Sequence, residues 1–178
     1  MIKAGTGTSN NPDPLKAGAE ACEKAMKQAG GKVSLILLFS SVAYDQKKML
    51  QGVRSVSKNI PLVGCSDAGE ITAKGPIFKQ LAVMALYSDS IEFSIGIGRG
   101  AEKDSQKAGA MAAKEVKKKA EKDPSLFMMF LDGLAENGAA AVRGAQSVLG
   151  KNFPIVGGSA GDDFLFSKTY QYCNDQVL

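Results

Sequence analysis

The sequence predicts an α/β fold, an internally duplicated β-α-β-α-β-β unit forming a mainly parallel, mixed sheet covered by helices. Three observations carry this reading. Short apolar runs closed by glycine or proline alternate with alanine- and lysine-rich stretches of helical length. The string KAGA at 16–19 returns at 107–110, and at the same 91-residue offset Asp13 meets Asp104, Gly5 and Gly7 meet Gly96 and Gly98, and Ser34, Leu35 and Phe39 meet Ser125, Leu126 and Phe130. After a slip of two residues, PLVGCS at 61–66 meets PIVGGS at 154–159. Composition alone would not preserve this order and spacing.

In the first copy, residues 2–7 end on glycines and read as a short strand. Asp13-Pro14 supplies an N-cap and a first-turn proline for a helix that runs to about Ala29, where Gly30-Gly31 stops it. Residues 33–39 are almost wholly apolar, as in a strand buried on both faces. Ser41 or Asp45 caps a helix ending near Lys58, and 61–64 form a short strand. Residues 79–86 and 91–98 read as strands joined by a turn at 87–90.

The second copy then repeats the order. A strand at 91–98 leads to a helix at 104–122, a strand at 126–131, a helix at 136–149 and strands at 154–157 and 168–173. Repeat boundaries at 1–90 and 91–178 follow. Asn174-Asp175 is a turn pair and Val177-Leu178 opens a further strand, which leads us to expect a piece of a longer chain.

Composition narrows the chemistry. There is no histidine, so no Ser-His-Asp or Cys-His machinery can be assembled, and no imidazole is present to hold zinc or haem. Cys22, Cys65 and Cys173 are odd in number and lack CxxC spacing, which points to a reducing cytosol and away from disulfides or a metal knuckle. Neither a signal peptide nor an apolar run of membrane-spanning length is present, so a cytoplasmic location is expected. The net charge of +4 gathers in the lysines of 114–122, a solvated helix side, and aromatic residues for stacking bases are scarce, so nucleic acid is not an expected partner.

The chemistry that remains lies in two matched loops, GCSDAGE at 64–70 and GGSAGDD at 157–163. In α/β sheets, ligands collect where strands end and backbone N–H groups point outward. Gly64, Cys65, Ser66, Gly157, Gly158 and Ser159 suit an anionic group, while Glu70, Asp162 and Asp163 suit a cationic one. Together they point to a zwitterion. Asp132, just past a buried strand, can line the same rim, with helix capping as its other reading. Each loop also reads as a tight turn whose polar groups satisfy its own backbone. The stretch 157–161 fits GxSxG but has no histidine as base, and the GxG pairs at 5–7 and 96–98 do not complete a dinucleotide fingerprint. A non-catalytic ligand-binding domain without cofactor or metal is the leading expectation. A hydrolase or transferase using Ser159 or Cys65, or a domain-docking module, is the alternative.

The motifs GTGTS at 5–9, PLVGCSDAGE at 61–70, GGSAGDDF at 157–164 and TYQY at 169–172 give the chain a resemblance to the N-terminal domain of the FIST family, named for F-box and intracellular signal transduction proteins. The resemblance implies a cytosolic sensory module that binds a small molecule such as an amino acid. It also implies a FIST C-terminal domain and a signalling output domain or protein as partners.

Overall fold

A computed structural model describes residues 1–178 apart from 73, 74 and 136. Its elements, in chain order, are β1 (Ile2–Ser9), α1 (Pro14–Ala29), β2 (Leu35–Ser41), α2 (Gln46–Ser57), β3 (Leu62–Asp67), β4 (Glu70–Thr72), β5 (Gly75–Ile77), β6 (Leu81–Ser88), α3 (Ser105–Lys119), β7 (Phe127–Leu131), α4 (Gly138–Leu149), β8 (Ile155–Ser159), β9 (Gln171–Cys173) and β10 (Gln176–Val177). The fold is α/β with mixed sheets. Two compact units are present, Met1–Glu92 with Gly161–Leu178, and Phe93–Ala160.

In the first unit a six-stranded sheet runs β1-β6-β2-β3-β9-β10. Parallel pairing is confined to β2 with β3, and the other neighbours are antiparallel. The core joins Ala17, Ala21, Cys22 and Ala25 of α1 and Met49, Leu50 and Val53 of α2 to Ile36, Leu38, Leu62, Leu81 and Val83 of the sheet. Small residues on α1 let the two helices touch along their backbones. A Cβ on Gly18 would lie 2.2 Å from the Met49 carbonyl oxygen, and one on Gly52 would lie 2.0 Å from that of Leu15.

The second unit is smaller. Strands β7 and β8 pair in parallel, and Phe127 and Met129 pack with Ala113 and Val116 of α3 and Ala141 and Ala145 of α4. The helix crossing has the same contacts as in the first unit, with a Cβ on Gly109 falling 2.0 Å from the Ala141 oxygen and one on Gly144 1.9 Å from that of Gln106. The strands correspond too. Gly64 presses on the Leu38 carbonyl oxygen and Gly157 on that of Met129, at 1.8 and 1.9 Å for a built Cβ. Sequence positions matched at offsets of 91–93 thus make matching contacts within their own units.

The helix starts are where the caps place them. Asp13 accepts from the amides of Leu15 and Lys16, Asp45 from Lys48 and Asp104 from Lys107, each worth about 1 kcal/mol. The helix expected over 136–149 begins at Gly138 behind an Asn137 cap, Glu136 itself lying outside the described residues.

The structure differs from the sequence reading in four places. Residues 91–98 form no strand and are not hairpin-joined to β6, which instead lies between β1 and β2. Side chains of α3 take their backbone groups: the Ile97 amide donates to Glu115 Oε2 at 2.8 Å, and Lys119 Nζ donates to the Ile95 carbonyl at 3.0 Å. A β4–β5 hairpin, unforeseen in the sequence, follows β3. Residues 161–178, read above as the end of the second copy, belong to the first compact unit. Finally, the strand expected over 168–173 starts only at Gln171, because the stretch before it is a loop bonded to the end of β3.

Candidate functional site

Parallel pairing brings the ends of β2 and β3 side by side, Ser40 opposite Ser66 and Ser41 opposite Asp67. The incoming segment 161–170 is stitched onto this end. The Gly161 amide donates to the Ser66 carbonyl at 2.9 Å and the Ser66 amide to the Tyr170 carbonyl at 2.8 Å. The Ser66 hydroxyl donates to the Gly161 carbonyl at 2.6 Å and accepts from the Tyr170 amide at 2.9 Å. Ser66 is buried, and its polar groups are spent within the fold.

Asp162 is also buried, and its carboxylate staples the loop by accepting from the amides of Ser167 and Lys168 at 2.6 and 3.2 Å. The Ser167 bond is the main reason its pKa is lowered. Asp163 stands in the left-handed region with φ 55°, as do Phe164 and Phe166. The Asp163 amide donates to the Asp67 carbonyl at 3.3 Å, and its side chain accepts from the Ser41 hydroxyl at 2.5 Å. Phe164, Leu165 and Phe166 are all exposed.

Glu70, at the start of β4, is different. It is 7% exposed, and neither carboxylate oxygen has a hydrogen-bond partner among the described residues. Burial, then the charge of Asp67, push its pKa up to about 7, with Asp163 adding to the rise; its own backbone amide opposes, lying near the carboxylate without meeting hydrogen-bond geometry. Asp67 is pushed up to about 6, again chiefly by burial, with the Gly69 amide opposing and Asp163 adding to the rise. Tyr44 belongs to the same neighbourhood, its pKa raised by burial and then by Glu70. The carboxyl groups of Asp67 and Asp163 are thus close enough for their charges to act on Glu70, and that of Asp163 close enough to act on Asp67.

A buried polar network fixes the floor beside them. The Ser40 and Tyr172 hydroxyls lie 2.8 Å apart, Tyr172 donates to Gln46 Oε1, and Gln46 Nε2 donates to the carbonyls of Ser41 and Tyr44 at 3.1 and 2.7 Å. This locks the end of β2 to the start of α2. Cys65 is buried without a disulfide, and burial pushes its thiol up to about 12, far from the thiolate that a nucleophile requires.

Of the sequence-derived site residues, Gly64, Cys65, Ser66, Glu70, Asp162 and Asp163 fall in the first unit and Asp132, Gly157, Gly158 and Ser159 in the second. Gly157, Gly158 and Ser159 end the exposed β8, and the Asp132 carboxylate accepts from the Leu134 amide at 3.0 Å. Asp67 and Tyr44 are additions from the structure, whereas Tyr172 already stands in the TYQY motif. Asp67 sits inside the GCSDAGE motif and was open to recognition there, but nothing in sequence spacing announces Tyr44. Among the described residues, no group of three or more Cys, Asp or Glu side chains is arranged to hold a metal ion, and no helix is long and apolar enough to cross a membrane.

The FIST N domain family matches residues 34–178. The chain belongs to the FIST family. Membership makes it a sensory domain of the signal-transduction type. The FIST chain is also similar to an uncharacterized protein of Methanocaldococcus jannaschii, 27% identical over 179 residues, which takes in 93% of this chain and 34% of the relative. The FIST chain thus spans about a third of that relative's length.

Proposed function

We propose that this FIST domain is a non-catalytic, cytoplasmic sensor of a small molecule, and that Glu70, with Asp67 and Asp163, receives the cationic end of that ligand. The observation that carries this reading is the pair of unpartnered Glu70 oxygens. A buried carboxyl group without a hydrogen bond costs on the order of 1–3 kcal/mol, and a fold tolerates such a cost where a ligand relieves it. Amino acids and small amines, which share an ammonium group, are the first candidates. Gly64, Cys65, Ser66 and Asp162 frame the site, Gly64 by bringing β3 against β2 and the others by holding or underlying the 161–170 loop. Asp132, Gly157, Gly158 and Ser159 form the corresponding rim of the second unit, and Ser159→Ala reports on their part. A FIST C-terminal domain and a signalling output domain or protein are the expected receivers of the signal.

A thermal-shift screen against amino acids and small amines tests this proposal. At least one compound is expected to raise the melting temperature of the wild type and to lose that effect in Glu70→Gln. A screen without a stabilising compound, or one whose stabilisation survives Glu70→Gln, overturns it.

A further inference from the structure

We infer, building on that ligand-binding reading, that the site of the first unit selects an organic ammonium with an apolar body and no carboxylate, in preference to the matching amino acid. Glu70 supplies two buried, unpartnered oxygens, and the charges acting on it from the described residues are the carboxylates Asp67 and Asp163. The charge acting on Asp67 is again a carboxylate, Asp163. Neither lysine nor arginine appears among them. From these described groups a cation entering the site meets attraction, and an attached carboxylate meets repulsion.

The donors that would hold a ligand carboxylate in this unit are committed elsewhere. The Ser66 hydroxyl and amide, the amides of Gly161, Asp163, Ser167, Lys168 and Tyr170, and the Ser41 hydroxyl all donate within the fold. Breaking any of them for a ligand would forfeit a bond already made, so an anionic group gains little there. Arrangement of the donors thus favours a monocation over a zwitterion.

The borders of the site are apolar. Phe164, next to Asp163, is 74% exposed. Phe78 lies against Gly69, between Asp67 and Glu70 in the chain, with its ring 2.8 Å from where a Gly69 Cβ would stand. Ring and alkyl groups carried by an amine find water-exposed aromatic surface to cover, and removing that surface from water favours binding. Inorganic cations offer no such surface.

Isothermal titration of the full chain at pH 8 with phenethylamine, hexylamine, phenylalanine and 3-phenylpropionate separates the cases. The expected result is binding of both amines, at least tenfold tighter than phenylalanine, no binding of phenylpropionate, and a tenfold or greater loss of amine affinity in Glu70→Gln. Asp163→Asn serves as a second variant with the same expected direction, and circular dichroism melts verify that each variant folds. Phenylalanine binding as tightly as phenethylamine overturns the amine selectivity while leaving a ligand-binding site standing. Failure of these four compounds and of every compound in the thermal-shift screen overturns both.

Discussion

The Ser41 hydroxyl donates to Asp163 Oδ2 at 2.5 Å, joining the end of β2 to a residue 122 positions later in the chain. That bond couples the sheet to the loop that carries Asp162, Asp163 and the exposed Phe164. It also fixes one of the two carboxylates beside Glu70. Ser41→Ala should cost about 1 kcal/mol, the net worth of a hydrogen bond, and should speed hydrogen exchange in residues 161–168. Exchange confined to the β2–α2 connection, where Ser41 also accepts from the Ala43 amide, would show that the loop does not depend on this bond.

The raised carboxyls give stability a definite pH dependence. In the folded chain Asp67 is pushed to about 6 and Glu70 to about 7, above their ordinary values of 3.8 and 4.5. Protonation therefore favours the folded state. The contribution is complete below about pH 4 and is lost as pH rises through 6 and 7. Among the described residues, the groups facing Glu70 are Asp67 from β3, Asp163 from the loop and Tyr44 from the β2–α2 connection, none of them cationic. The melting temperature should fall between pH 5 and pH 8. Glu70→Gln should stabilise the chain at pH 8 by on the order of 2 kcal/mol and change little at pH 5. Equal losses in wild type and variant between these pH values would assign the dependence to other groups.

Much of the fold was legible because its signals are local. Asp13-Pro14, Asp45 and Asp104 announce helix starts through bonds to amides two or three residues on, and Gly30 closes α1 with φ 87°. Strands need partners that local sequence does not show. Residues 91–98 have strand-like composition, yet Glu115 and Lys119 bind their backbone in place of a neighbouring strand. The hairpin at β4–β5 was hidden by Gly75-Pro76, a pair that reads as a loop. In the site, Glu70 and Asp163 were visible as acids in glycine-rich loops. That Ser66 and Asp162 spend their polar groups internally, while Glu70 does not, depends on segment 161–170 returning to β3, and no spacing rule foretells that.

The matched helix crossings make a separable prediction. Gly109→Ala gains about 1 kcal/mol in helix propensity, but its methyl would lie 2.0 Å from the Ala141 carbonyl oxygen, and overpacking of this kind costs about 1–3 kcal/mol. A net loss of stability is expected, with faster hydrogen exchange in α3 and α4 and unchanged protection in α1 and α2. Gly18→Ala should give the mirror result, loosening α1 and α2. Uniform loss of protection across all four helices in either variant would mean that the two units do not respond independently.

Thiol chemistry offers a further check. Cys22, Cys65 and Cys173 are buried, and burial pushes the first two to about 11 and 12. Native protein at pH 8 should resist alkylation by iodoacetamide for hours, and denatured protein should take up three equivalents. Rapid labelling of native Cys65 would revive a thiol-based reaction at this site.

The role of Glu70 is open to direct observation through its own carboxyl carbon, followed by NMR against pH in free and amine-saturated protein. We predict titration near 7 in the free chain and a fall into the ordinary carboxylate range, roughly 4–5, when phenethylamine fills the site. A Glu70 that titrates in the ordinary range without ligand, or does not move at amine saturation, would contradict the assignment of this carboxylate as the ligand's counter-ion.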